Sequence, residues 1–272
     1  NNHDIFPTLL KGTGNLLDNL YSSTGERMMG DIDLLVSEGD YLRAAQLLEN
    51  DGYTHNNPSY FEVKDKKHYP RLYKKGETAD VEIHRLPVAL KYVKIYNTEA
   101  IDKEKKAIDK DFSCFILSDK HKVIHNFIHS QLSNKGHSYG VVPFRDLYDL
   151  YLLSKRTDIS QTINDIEHKK IAKTYFFFAG KALCLPDFFH SNPTLTSKLF
   201  CIKHDLALNS YTFYRANKTM VYIADRIILY SEQLIKSIYS KDMRRSLGMR
   251  LTNRQWYENH ISDYVKFFSK KK

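Results

Sequence analysis

The pattern of apolar and polar positions changes character once along the chain. Up to about residue 111 the periods are short and mixed. Phe6–Leu20 has helical spacing but is interrupted by Gly12-Thr13-Gly14, a glycine density unsuited to an ordinary helix interior. Asp31-Ile32-Asp33-Leu34-Leu35-Val36 is a short, mostly apolar run between Gly30 and Ser37-Glu38-Gly39, which predicts a buried strand. Leu42, Ala45 and Leu48 recur at helical spacing within Tyr41–Leu48, and Asp51-Gly52 stops that helix. Tyr60–Val63, Tyr69–Tyr73 and Ala79–Ile83 read as strands, the last two separated by a Lys75-Gly76 turn. Asn97–Lys110, rich in Lys, Asp and Glu, reads as a linker or a surface helix.

From about Phe112 the apolar positions follow long helical periods. Ser118 or Asp119 caps a helix running to about Ser133. Further helices are expected over Phe144–Lys155, Ile163–Lys170, Ile171–Leu183, Thr196–Leu208 and Tyr211–Ile238. Pro143, Pro186 and Pro193 fall between these runs, where proline is tolerated. The expected architecture is α+β: a sheet domain over 1–111 followed by an all-helical domain over 112–272.

Composition narrows the class. The chain has 272 residues, 42% hydrophobic and 27% charged, with 11 Gly and 7 Pro, which describes a folded globular protein. Cys114, Cys184 and Cys201 form no Cys-x-x-Cys pair and are odd in number. That argues against a disulfide framework or a thiolate zinc site and points to the cytoplasm. Asn1–Thr8 lacks a basic-then-apolar secretory pattern, and no apolar stretch is long enough to span a bilayer. The net charge of +9 is concentrated: Lys236–Lys272 holds ten Lys or Arg against three acids, a local +7. Arg244, Arg245, Arg250 and Arg254 lie near Trp256 and Tyr257, a pairing of cations and rings that suits a polyanion. A solvated basic helix with a frayed Lys tail has the same composition.

Within the predicted strand, Asp31 and Asp33 flank Ile32, so the period of two puts both carboxylates on one face. Two carboxylates so close repel unless a cation lies between them. A hard, oxygen-liganded ion such as Mg²⁺ suits them. Asp80, Glu82 and His84 share one face of a second strand, and either Asp80 or Glu82 could give a third carboxylate for a two-metal site. Upstream, Leu10-Lys11-Gly12-Thr13-Gly14 offers open backbone N–H groups, a hydroxyl and a cation to a phosphate. Lys11 and Arg27 are placed to neutralise a triphosphate.

Together these elements resemble the nucleotidyltransferase fold of DNA polymerase beta and its relatives. The pattern there is apolar-Gly-Gly/Ser, then acid-apolar-acid on a strand, then apolar-acid-apolar on a later strand. Gly12-Thr13 stands at the first, with Thr in place of Ser or Gly. Asp31-Ile32-Asp33 stands at the second and Val81-Glu82-Ile83 at the third. Over Leu9–Leu86 the wording is most similar to uncharacterised bacterial nucleotidyltransferases, and more distantly to abortive-infection and toxin-type members. The resemblance implies an N-terminal nucleotidyltransferase-type mixed sheet flanked by helices, an NTP donor, Mg²⁺, and transfer of a nucleoside monophosphate to an acceptor hydroxyl with release of pyrophosphate. It implies Asp31 and Asp33 as metal ligands, Glu82 as third ligand and activator of the acceptor hydroxyl, and Gly12 and Thr13 as the cradle of the β and γ phosphates.

Other polar residues are weaker candidates. His84 reads first as a satisfied core histidine and second as a group that polarises an acceptor; His68 and Arg71 read as surface residues that could meet the substrate; Arg145, Asp146 and Asp149 read as helix ion-pair partners, with Arg145 also placed to hold a nucleotide. His125, His129 and His137 mimic metal spacing but no acid or thiol completes the set. The acceptor is open, and the basic C-terminus tilts it towards tRNA or another nucleic acid. Two alternatives use the same residues: a toxin of a toxin–antitoxin or phage-defence system acting on tRNA or protein, and a non-catalytic nucleotide- or RNA-binding regulator. Three filled carboxylate positions favour catalysis.

Overall fold

A computed structural model describes residues 3–55, 67–109, 113–185 and 193–269. The expected strand at Tyr60–Val63 lies outside them. The chain divides into two compact units, Asn1–Tyr211 and Thr212–Lys272.

The first unit is built on a five-stranded mixed sheet of order β3-β2-β1-β5-β4. Its strands are β1 (Thr8–Leu9), β2 (Asp31–Leu35), β3 (Asp80–His84), β4 (Lys106–Asp109) and β5 (Ser113–Ile116). β1 runs antiparallel to β2 and parallel to β5; β2 and β3 are parallel, and β4 and β5 antiparallel. Thr8 and Leu9, expected to begin a helix, are instead the buried central strand, and helix α1 (Lys11–Leu17) starts directly after it. The turn is tight: a Cβ on Gly14 would sit 2.4 Å from the Leu9 carbonyl oxygen. Only glycine admits that approach, which explains part of the glycine density.

Alternation then sorts the two faces of the sheet. Ile32, Leu34, Val81 and Ile83 point to one face, where Tyr41 and Ala45 of α2 (Tyr41–Asn50) close a small core. Asp31, Asp33, Glu82 and His84 point to the other. The Tyr69–Tyr73 segment pairs with β3 only through isolated bridges at His68↔His84 and Leu72↔Val81, because Pro70 lacks the N–H a continuous ladder needs. The Asn97–Lys110 stretch is neither linker nor one surface helix. It forms α3 (Thr98–Asp102) and then β4, an edge strand whose Lys106 and Asp109 make it resemble a linker by composition. The last strand, β5, lies beyond the expected division at 111/112.

Among the described residues the remaining α-helices of this unit are α4 (Asp119–Phe127), α5 (Gly136–Tyr139), α6 (Phe144–Ser154), α7 (Ile159–Asn164), α8 (Lys169–Ala182) and α9 (Leu195–Asn209). Ser118 caps α4 by accepting from the His121 N–H, as its position predicts. α4 continues into a wide π-type turn over Ile128–Ser133. The helix expected over Ile163–Lys170 does not form as one element: α7 starts earlier, because Asp158 accepts from the Gln161 N–H and fixes its first turn, and ends at Asn164, and α8 begins at Lys169. Phe127, Leu150, Tyr175 and Phe176 are fully buried in the main core, which also takes Leu10, Leu35 and Leu117 from the sheet side.

The second unit contains α10 (Tyr211–Tyr239), α11 (Lys241–Thr252) and α12 (Arg254–Ser269). The Tyr230 hydroxyl lies 2.6 Å from His260 Nε2 and 3.2 Å from the Tyr264 hydroxyl, joining α10 to α12. Arg244 Nη1 donates to the Ser237 and Ile238 carbonyls at the end of α10. Trp256 stacks on His260 at 4.5 Å, so Trp256 and Arg244, both candidates for a polyanion, also serve internal packing. No helix among the described residues is long and apolar enough to cross a membrane.

Candidate active site

The site begins with strand register. In the parallel β2–β3 pair Asp33 stands opposite Glu82, Asp31 opposite Asp80 and Leu35 opposite His84. Partners in register share a face, so carboxylates nearly fifty residues apart meet on one side of the sheet. Asp33 is buried, and its Oδ1 accepts from Lys11 Nζ at 2.6 Å and from His84 Nε2 at 2.8 Å. His84 Nε2 also lies 3.4 Å from Glu82 Oε2. Burial works to raise the Asp33 pKa, but the His84 bond and the Lys11 charge outweigh it and hold the carboxyl well below its usual range. For Glu82 the His84 bond acts first, against burial, and with Arg71 it lowers the pKa to about 2.

Arg71 is part of the site, although its sequence position reads as surface. Its guanidinium lies 2.9 Å from Glu82, 3.2 Å from Asp31 and 3.6 Å from Asp80. Lys67 was not singled out by the sequence, where it closes a run of charged residues. It too feels the charges of Glu82, Asp33 and Asp31, which oppose the lowering of its pKa by burial and by Lys11.

Asp33, Glu82 and His84 offer ligand atoms within 4.8 Å of one another. The carboxylates suit a hard divalent ion. The imidazole fits better as a donor than as a ligand. Among the described residues its Nδ1 is buried without a hydrogen-bond partner, so metal ligation through Nε2 would strand an Nδ1–H, whereas the tautomer that carries its proton on Nε2 leaves only a lone pair there. His84 thus fixes the Asp33 carboxylate by donating to it.

On this face lies a cleft of about 140 Å³. Lys11, Gly12, Arg27, Asp31 and Asp33 line it from the sheet side; Lys122, Asn126, Arg145, Asp146 and Asp149 line it from the helices. Gly12 faces the cleft beneath Met29, whose Sδ would lie 2.9 Å from a Cβ at this position. Thr13 does not line the cleft. It lines an apolar groove with Leu9, Ile32 and Leu34 on the other face of the sheet. Arg27 lines the cleft, but Nε and Nη2 bind the buried Asp149 at 3.1 and 3.2 Å, and Nη1 donates to the Met28 carbonyl. The Tyr21 hydroxyl donates to Asp149 at 2.9 Å, and Asn15 Nδ2 donates to that hydroxyl.

The remaining candidates separate. His125 is buried, donates Nε2–H to the Pro87 carbonyl, and has its pKa pushed down to about 3 by burial. His129 stacks on His125, whereas His137 stacks on Phe200, so the three histidines form no common ligand set. Arg145 is exposed, 3.6 Å from Asp146, whose pKa burial raises. His68 donates to the neighbouring Tyr69 carbonyl.

A family profile described as uncharacterised nucleotidyltransferase matches residues 1–182. No curated protein matches the chain. Two solved structures from Helicobacter pylori are similar to it. One is provisionally described as a nucleotidyltransferase, at 12% identity over 80% of this chain and 90% of that one, with a TM-score of 0.37. The other is JHP933, at 11% identity over 82% and 90%, also with a TM-score of 0.37.

Proposed function

The chain belongs to the family of uncharacterised nucleotidyltransferases, and from that premise we propose that it moves a nucleoside monophosphate from an NTP to an acceptor hydroxyl, with Mg²⁺ held by Asp31, Asp33 and Glu82. What supports this reading is the register that sets Asp33 against Glu82 with Lys11 at 2.6 Å. The ion supplies charge neutralisation for the triphosphate and its leaving group. Lys11 and Gly12 meet the phosphates from the cleft wall, and Arg27 bounds that wall through Asp149. The acceptor oxygen bonds to the α-phosphorus as the bond to the pyrophosphate oxygen breaks, and the hydroxyl proton passes to Glu82. On this reading residues 1–111 carry the chemistry in the cytoplasm of a bacterium, and the basic C-terminal residues favour a polyanionic acceptor such as tRNA.

The test is transfer from labelled NTPs into a cell extract, with and without Mg²⁺, by the wild type and Asp33→Asn. Label is expected only with wild type and Mg²⁺. Equal incorporation by both proteins refutes the assignment. Tight NTP binding without transfer by either would make the protein a regulator.

A further inference from the structure

Among the described residues four acids line the cleft, and three of them are held closely by a cation. Asp33 meets Lys11 at 2.6 Å, Asp149 meets Arg27 at 3.1 Å and Asp31 meets Arg71 at 3.2 Å. Asp146 is the exception. Its ion-pair partner among the described residues is Arg145, at 3.6 Å and with a side chain 54% exposed, although Asp146 itself is buried. A buried carboxylate so weakly compensated calls for hydrogen-bond donors. Its position is fixed from several sides. The Asp146 N–H donates to the Pro143 carbonyl at 3.0 Å in the first turn of α6. The Asp146 carbonyl accepts from Asn126 Nδ2 of α4 at 3.0 Å, and the Tyr175 hydroxyl of α8 donates to Asn126 Oδ1 at 2.6 Å. The Ser130 hydroxyl donates to the carboxylate, and Gln131 Nε2 donates to the Ser130 oxygen at 2.8 Å. One bond from Ser130 leaves most of the lone pairs of the carboxylate to the cleft.

We propose, resting on the nucleotidyl-transfer reading above, that Asp146 accepts the 2′- and 3′-hydroxyls of the bound nucleotide and makes the site select ribonucleotides over deoxyribonucleotides. Charge sets the direction of the ligand along the cleft. The phosphates turn to the sheet wall, where Lys11 and Gly12 lie, and are repelled from Asp146. The ribose is the group joined directly to the α-phosphate, is uncharged and carries hydroxyl donors. A cleft of about 140 Å³ keeps it near the helix wall. A vicinal cis-diol offers two O–H donors to the two oxygens of one carboxylate, the same chemistry by which a carboxylate reads the ribose in dinucleotide sites. A metal ion is better served elsewhere: the ligand set gathered among the described residues is Asp33, Glu82 and His84. Burial raises the Asp146 pKa, with Ser130 and Arg145 opposing it, and a carboxyl oxygen accepts a hydroxyl in either protonation state.

Calorimetry on the full chain with Mn²⁺ tests this, using the NTPs, their 2′-deoxy and 3′-deoxy counterparts, and inorganic triphosphate. Loss of either hydroxyl should weaken binding to the wild type about ten- to hundredfold, the range for a hydrogen bond to a charged group. Asp146→Ala should equalise ribo and deoxy ligands, and the near-isosteric Asp146→Asn should fall between. Neither variant should bind inorganic triphosphate more weakly, since it has no hydroxyl to lose; a merely structural role would weaken all ligands alike. A wild type that binds deoxynucleotides as tightly as ribonucleotides, variants that keep the full penalty, or an effect that follows the base rather than the sugar overturns the role of Asp146 and leaves the nucleotide reading standing. If neither NTP nor triphosphate binds, the nucleotide reading falls and this role falls with it.

Discussion

Removing Arg71 should tighten divalent-metal binding. The guanidinium lies against Glu82 and Asp31, with Asp80 at 3.6 Å, so a cation entering among these carboxylates must compete with it. The Arg71 side chain is 50% exposed, so solvent screens each pair to about 0.2–1 kcal/mol. The three contacts together amount to about 1–2 kcal/mol, which an incoming ion no longer has to displace in Arg71→Met. At about 1.4 kcal/mol per tenfold, that is a roughly five- to thirtyfold lower Kd. Methionine keeps an unbranched stem, and the Leu72↔Val81 bridge is made by backbone, so the segment should stay in place. Binding of Mn²⁺ alone, followed by electron paramagnetic resonance or calorimetry without nucleotide, is the appropriate readout. An unchanged or weaker affinity would show that the ion does not lie among the carboxylates that Arg71 neutralises.

Two further outcomes follow from packing. Gly14→Ala should cost up to about 2 kcal/mol net in denaturant unfolding, since its Cβ meets the Leu9 backbone and overpacking of about 1–3 kcal/mol is offset by only the roughly 1 kcal/mol that alanine gains in a helix. Gly12→Ala meets the flexible Met29 side chain and, at ordinary contact distance, the Arg27 guanidinium, and should leave stability unchanged or slightly higher; the reverse order would refute this account of α1. Asp149→Asn leaves the Arg27 charge uncompensated and should lower stability by about 3–5 kcal/mol, whereas Arg27→Met with Asp149→Leu should recover most of the loss. Equal instability of the single and double variants in the same unfolding assay would show that the pair does not act as a unit.

The parts of the site that were legible in the sequence are those fixed by local period. Asp31 and Asp33 share a face because strands alternate, and Glu82 and His84 do so for the same reason; β2–β3 register then joins the two pairs. Glu82 rather than Asp80 lies beside Asp33, a choice that alternation alone leaves open because both acids share one face. Lys67 and Asp149 were not legible as site residues, and Arg71 only as a surface residue that could meet a substrate, because their places depend on tertiary contacts. Arg71 arrives on a segment whose ladder is broken by Pro70. Asp149 sits at a spacing from Arg145 that any exposed helix pair would show, and its real partner is Arg27, 122 residues away. Likewise β4 was hidden because an edge strand tolerates the charges that mark a linker.

The cleft and the carboxylate cluster beside it on the same face of the sheet hold paired charges. Asp33 is bound by Lys11, Asp149 by Arg27, and Glu82 with Asp31 by Arg71. A bare triphosphate entering such a site must displace carboxylates from its cations, and a bare metal must displace cations from its carboxylates. Each alone strands one member of an ion pair, at a cost that is largest for the buried Lys11–Asp33 and Arg27–Asp149 pairs and small for the half-exposed Arg71. On the proposed function, an ion and a triphosphate arriving together would be met by both sets of groups, the ion by the carboxylates and the phosphates by Lys11 and Arg71, so every displaced group would find a new counter-charge. Under the proposed function, metal and nucleotide should therefore raise each other's affinity, and by linkage to the same degree. Arg71→Met separates the two contributions: it should strengthen metal binding alone and weaken the coupling, since a released cation is no longer present to meet the phosphate. Coupling measured by calorimetry with each ligand at saturating and zero levels of the other, and found equal in wild type and variant, would show that Arg71 does not exchange one partner for the other.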